Sequence, residues 1–243
     1  MINDIRKAVD SSNRAQRNYD LSKSIPQKEL DTLIYAASES PSKQNETHYS
    51  LFVYTDPIMI RKIYDTTKKF NFFDENDNLE KLFGEKKGVY WQNDDDSVKN
   101  SQVLANALFV YTEEKGQTRG GTHIVGKQSI AGDSAKLYKE QIDYSIGISV
   151  GQLILSANLL GLKTGICSAM DGRAIKKVVG TEKSVKVLVG VGFENADIDR
   201  RLHPDVLNKD VPAKFRNGKD LENWRFPSYK KECKVYINGQ IYS

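Results

Sequence analysis

This chain is poor in the residues that build metal centres and disulfide frameworks. Its two cysteines, Cys167 and Cys233, lie far apart and form no CxxC pair, and its three histidines show no zinc-type spacing. A structural metal is therefore not expected. No apolar stretch approaches eighteen residues, and Met1 to Asp10 alternates charge with isolated apolar side chains instead of carrying a signal-peptide core. The expectation is a soluble, cytoplasmic protein with no membrane partner. Excess charge of one sign is also scarce: 36 basic residues stand against 32 acidic ones, a formal net charge of +4, with both signs interspersed. That balance does not ask for a nucleic acid, but it leaves a few cations to line a pocket for an anionic ligand.

What is present suffices for a folded domain. With 243 residues, 39% of them hydrophobic and 28% charged, the chain is long enough to bury a sizeable core and far from the composition of a disordered one. One domain spanning 1–243 is the expectation. Pro26 followed by Glu29, Leu30, Leu33, Ile34 and Ala37 gives a helix start and an i, i+3, i+4, i+7 stripe that ends near Ser40-Pro41. The β-formers of His48 to Thr55 and of Ala107 to Thr112 predict two strands, both read as central. Ile146, Val150, Leu153, Ile154, Ala157 and Leu160 form a strong helical stripe, with Gly161 where a left-handed cap would stop it. A helix around Arg173 to Val179 and a buried strand over Val185 to Phe193 follow. Residues 71–100, dense in Asp, Glu, Asn and Lys, read as a lid-like excursion, and 213–243, with several aromatics, as a tail able to embrace a partner.

Three short motifs invite chemistry. Gly147-Ile148-Ser149-Val150-Gly151 matches GxSxG, and Asp171 and His203 follow in the order a hydrolase triad needs. Such an elbow requires a strand before the serine, whereas Leu137 to Tyr144 carries Lys139, Glu140, Gln141 and Asp143 and reads as helix. Gly190-Val191-Gly192 lacks the third glycine of a dinucleotide loop and reads as the end of a strand. Gly161-Leu162-Lys163-Thr164-Gly165 lacks the ending of a phosphate loop.

Two further segments are polar in a more suggestive way. Arg14 and Arg17 stand three residues apart, close enough to grip one phosphate with two planar guanidinium forks or simply to form a solvated basic stretch. Ser40-Pro41-Ser42-Lys43-Gln44-Asn45 closes a helix and opens onto a strand, as a polar loop that holds a ligand would. Taken with Ala157-Asn158-Leu159-Leu160-Gly161-Leu162-Lys163-Thr164-Gly165, these segments resemble, in order and spacing, the flavin-binding framework of the nitroreductase family.

That resemblance implies an α+β fold around a mixed, mostly antiparallel central sheet flanked by helices, and an intertwined homodimer with an FMN at each of two subunit interfaces. It assigns the phosphate to Arg14 and Arg17, completed by Arg200 or Arg201, with Ala15 standing in the cofactor site where a serine often helps to hold it. Pro41, Ser42 and Asn45 would reach the flavin from the partner subunit, and Asn100 would face its ring. The turn Gly165 to Ala169, with Ile166 and Ser168, would lie along the isoalloxazine. The implied activity passes electrons from NADH or NADPH through FMN to a small-molecule acceptor, a nitroaromatic, quinone or similar electron-poor compound, by ping-pong turnover. Departures at Ala15, Glu46 and Ser168 keep a flavin-sequestering protein without turnover as the alternative, and a serine hydrolase using Ser149 as the third reading.

Overall fold

Four runs of β-branched and aromatic residues pair into one sheet, because each presents alternate side chains to two opposite apolar layers. A computed structural model describes residues 2–42, 45–67, 99–117, 134–201, 233–237 and 240–242. The strands are β1 (Thr47–Tyr54), β2 (Ala107–Gln117), β3 (Lys163–Cys167) and β4 (Val185–Gly192), in the order β1-β2-β4-β3. Every pairing among them is antiparallel, so any parallel member of a mixed sheet is not among the described strands. The pairing also corrects one expectation. β2 is central, but β1 ends the row, with its second edge open to no described strand.

One sheet face carries Ala107, Phe109, Tyr111, Val189 and Val191 against α2 (Gln27–Ser38) and α4 (Ser134–Leu159). The other carries Leu108, Val110, Cys167 and Leu188 against α3 (Pro57–Asp65) and α5 (Gly172–Val179). The result is a sheet between two helical layers, with α1 (Ile2–Ser12) packed beside α4. The helix signals in the sequence are used as expected: α2 follows Pro26, and Gly161 takes a φ of 81° just after α4. Helix α5 is capped by Asp171, whose carboxylate accepts from the Arg173 and Ala174 amides at 2.9 and 2.8 Å. Helix α3 has its own start signal, the pair Asp56-Pro57, with Ile60, Ile63 and Tyr64 buried at helical spacing.

Ser149 sits in the middle of α4, with no strand before it, and is fully buried. Its hydroxyl donates to the Ala37 carbonyl at 2.6 Å and lies 3.0 Å from the Tyr111 hydroxyl. The same Ala37 carbonyl accepts from Tyr49, whose hydroxyl is 2.9 Å from Ser40 Oγ. Burial pushes the Tyr111 phenol up from its ordinary pKa. Asp171 is committed to a helix cap, and His203 lies outside the described residues. The GxSxG stretch is therefore one turn of a packed helix, and its serine joins the end of α2 to β1, β2 and α4.

The excursion 71–100 lies outside the described residues except for its end at Lys99 and Asn100, and the tail 213–243 except for residues 233–237 and 240–242, where β5 (Val235–Ile237) and β6 (Gln240–Tyr242) pair antiparallel. No helix among the described residues is long and apolar enough to cross a membrane. The serine network makes a testable demand. Ser149→Ala should cost about 1–3 kcal/mol in urea unfolding, because it strands a buried tyrosine hydroxyl, and Y111F combined with S149A should cost less than the sum of the two.

Candidate functional site

The arginine-bearing segment after α1 is held in place by glycines. On the sheet face opposite α4, Gly165 of β3 lies beside Gly190 of β4, and Gly192 follows on the same side. A Cβ on Gly165 would meet the Gln16 carbonyl at 2.7 Å and the Tyr19 hydroxyl at 2.9 Å. On Gly190 it would meet the Gln102 carbonyl at 2.1 Å, and on Gly192 Asn106 Oδ1 at 2.0 Å. This bare strip lets two stretches of irregular backbone, 16–20 and 102–106, lie directly on the sheet. Tyr19 crosses it, with its hydroxyl 3.3 Å from the carbonyls of both Gln102 and Gly190.

Hydrogen bonds complete the placement. The Gln16 amide donates to the Thr164 carbonyl on the outer edge of β3 at 2.9 Å, and the Arg17 amide donates to the Arg200 carbonyl at 3.0 Å. Asn18, buried, donates through Nδ2 to the Asp199 carbonyl at 2.8 Å. Segments separated by more than 180 residues are thereby stitched together, and their arginines with them. Arg200 Nη1 donates to the Ala15 carbonyl at 3.0 Å. The position where Ala15 stands thus serves through its backbone, which a serine-to-alanine departure leaves intact.

The cations feel one another. Burial, reinforced by Arg200, holds the Arg17 guanidinium down to about 10. Arg200 is also held below its ordinary value, by burial first and then by Arg14 and Arg201. Arg201 behaves differently: its Nη2 is 3.0 Å from Asp199 Oδ2 and its Nε 3.2 Å from Oδ1, and that carboxylate raises its pKa. Of the two neighbouring arginines, Arg200 is the one directed at the Arg14–Arg17 group, and Arg201 is neutralised locally. Lys163, the nearby lysine, reaches Ser11 Oγ at 3.0 Å and Glu194 at 3.5 Å.

Beside this group lies Asn100, buried, with its Nδ2 donating to Cys167 Sγ at 2.9 Å and its Oδ1 without a hydrogen-bond partner among the described residues. Arg17 lies near enough to Cys167 to favour its thiolate form, so the amide and that arginine share one neighbourhood. The stretch Gly165 to Ala169 differs from expectation in one respect: β3 runs through Cys167, so only Ser168 and Ala169 are irregular before the Met170 bridge to Thr67. Thr164 turns its carbonyl outward, so alternation directs the Gly165 amide toward β4 and the Ile166 amide to the open edge. Ile166 and Ser168 are exposed there, and Ala169 is half-buried.

The loop before β1 is elsewhere. Pro41 is exposed and Ser42 half-buried, the Asn45 amide donates to the Ser42 carbonyl at 3.0 Å, and Asn45 takes a φ of 57°. It leads into β1, whereas the arginines lie along β3, at the opposite end of the four-strand row. Three strand spacings, about 14 Å, separate those edges. The chain therefore assembles Arg14, Arg17, Asn100, Ile166 and Arg200 on one side and leaves Ser42 and Asn45 on the other.

The sequence reading missed Tyr19, Gln16 and the glycine strip, and the available signal was a Gly-x-Gly inside an apolar strand, which marks close backbone approach. Gly190→Ala is the sharp test of this packing. Its Cβ meets a backbone carbonyl that cannot rotate away, so the variant should lose about 3 kcal/mol, at the upper end for overpacking, in denaturant unfolding.

The comparisons with known proteins agree with this architecture. A search of the curated proteins found no match. A nitroreductase family protein from Clostridium novyi NT superposes with a TM-score of 0.53 at 13% identity, covering 81% of this chain and 89% of that one. A protein described as an NAD(P)H:FMN oxidoreductase from Staphylococcus epidermidis gives 0.53 at 18% identity, covering 80% and 89%. Nitroreductase A from Vibrio parahaemolyticus gives 0.53 at 14%, covering 85% and 76%. At such identities these structures speak for the fold. The family model for the nitroreductase family matches residues 11–193, from just before the arginine pair to the end of β4, and on that match the chain belongs to the nitroreductase family.

Proposed function

We propose that this chain is an FMN-dependent oxidoreductase that takes electrons from NADH or NADPH and passes them to a small electron-poor acceptor such as a nitroaromatic or quinone, in ping-pong turnover. The observation that carries the reading is the meeting of Arg14, Arg17 and Arg200 at the outer edge of β3. Burial and neighbouring arginines hold Arg17 and Arg200 below their ordinary values, an electrostatic cost that a dianionic phosphate offsets. The second supporting feature is the orphaned acceptor of Asn100 beside them, which suits a ligand carrying an N–H. A molecule with a phosphate at one end and a hydrogen-bonding ring at the other fits both.

In this reading Arg14, Arg17 and Arg200 hold the phosphate, with Arg201 kept out by Asp199. The outward Ile166 amide and the Asn100 side chain meet the ring. FMN, once bound, supplies the redox chemistry, and the protein supplies position and a fixed field of donors. Ser42 and Asn45 complete the site from a second copy of the chain, because within one copy they stand at the far edge of the sheet. The homodimer is thus part of the proposal. The departures from the family pattern leave this arrangement standing: the Ala15 backbone carbonyl is used, and Glu46 is buried beside His48, 3.5 Å from its Nε2.

Protein purified with FMN should be yellow and should bleach with NADH or NADPH under anaerobic conditions, then recover colour on adding a quinone. Protein that stays colourless in excess FMN overturns the proposal, and bound flavin that no reduced nicotinamide bleaches reduces it to sequestration. Replacing Arg17 by alanine should weaken FMN binding roughly 10- to 100-fold in fluorescence-quenching titrations, the weight of one or two charge-assisted hydrogen bonds. Because the ligand's phosphate offsets the cost of gathering these cations, FMN should also raise the melting temperature of the wild type more than that of the variant.

A further inference from the structure

The one described buried thiol is not explained by packing alone. Cys167 ends β3 with 2% of its surface exposed, and it is free of any disulfide. Burial raises its pKa, so it remains a protonated thiol at neutral pH and a poor nucleophile. Its hydrogen bonds are specific. The S–H donates to the Ala169 carbonyl, with sulfur and oxygen 3.5 Å apart, and the sulfur accepts from Asn100 Nδ2 at 2.9 Å.

Asn100 is pinned from the other side as well. Its backbone amide donates to Thr67 Oγ1 at 3.0 Å, and the Thr67 hydroxyl donates onward to the Tyr64 carbonyl at 2.8 Å. The backbone is thereby fixed and only the terminal amide remains to be oriented. With the thiol proton committed to Ala169, the sulfur offers a lone pair, and a lone pair selects the NH2 end of the amide. The carbonyl end, Oδ1, is left buried and without a hydrogen-bond partner among the described residues, a costly arrangement unless a ligand supplies a donor. Beside it, Ser101 Oγ is fully buried and equally without a partner among the described residues.

We propose that Cys167 is a positioning residue: its thiol locks the Asn100 amide so that Oδ1 presents an acceptor to an N–H of the bound flavin ring. This deepens the FMN reading and rests on it. The thiol acts through Asn100 and takes no part in electron transfer. The cysteine is suited to the task because its sulfur is large, apolar enough to belong to the core with Leu188 and Ile175, and still able to accept one hydrogen bond.

The test uses full-length protein and FMN, with the dissociation constant and the visible flavin spectrum as paired readouts. Cys167→Ala removes the lock, and it should weaken FMN binding about tenfold and shift the flavin absorption bands, which respond to hydrogen bonding at the ring. C167S, which keeps a donor and an acceptor at the same place, should restore most of the affinity and the wild-type bands. In the N100A background, adding C167A should cause no further loss, because the thiol then has nothing to orient. Equal, additive losses in C167A and N100A would show packing only and overturn the inference, as would a C167A protein with wild-type affinity and spectrum. A wild type that binds no FMN overturns the inference together with the reading beneath it, whereas a yellow wild type with an unaffected C167A removes the inference alone. Thermal unfolding of each variant without FMN separates either result from a failure to fold.

Discussion

The absence of three side chains is the constraint on which the site depends. Gly165, Gly190 and Gly192 clear a lane across β3 and β4, and two irregular segments lie in it at distances that any Cβ would forbid. Tyr19 fits because its hydroxyl finds the carbonyls of Gln102 and Gly190 inside the lane, where a buried phenol would otherwise be unpaired. Tyr19 fixes the segment before it, and that segment carries Arg17. The electrostatic group is thus a consequence of close backbone packing: guanidiniums come together because the strands beneath them lack side chains.

A second anchor serves the other half of the proposed site. The Ala37 carbonyl, at the end of α2, takes hydrogen bonds from Tyr49 and Ser149, and Ser40 joins the same network through Tyr49. The loop from Pro41 to Asn45 leaves from this fixed point. Helix α4 therefore contributes to the proposed function through a serine that never touches a substrate. The two anchors stand at opposite edges of one antiparallel sheet, and this is the physical reason for invoking a second copy of the chain.

Local patterns made much of this legible. The stripe from Leu30 to Ala37, the cap at Gly161, the strand over Val185 to Phe193, observed as Val185–Gly192, and the helical reading of Leu137 to Tyr144 all correspond to observed elements. Those signals are periodic or stereochemical, so they act over a few residues and survive being read alone. The GxSxG match was resolved in the same way, since a helix-forming stretch before the serine is incompatible with a nucleophile elbow. Helix α3 and the glycine lane were equally local in sequence, as Asp56-Pro57 and Gly-x-Gly, but their meaning depended on what packed against them.

Element types, the pair Arg14 and Arg17, the polar loop before β1 and the family likeness are legible along the chain. Tertiary structure alone decided that Arg200 joins that pair while Arg201 turns to Asp199, that β1 ends the sheet, that β3 continues through Cys167, and that Asn100 meets a thiol. The division has one cause. Periodicity and turn chemistry are properties of neighbours along the chain, whereas strand order and the meeting of residues more than 180 positions apart depend on how much apolar surface each pairing buries.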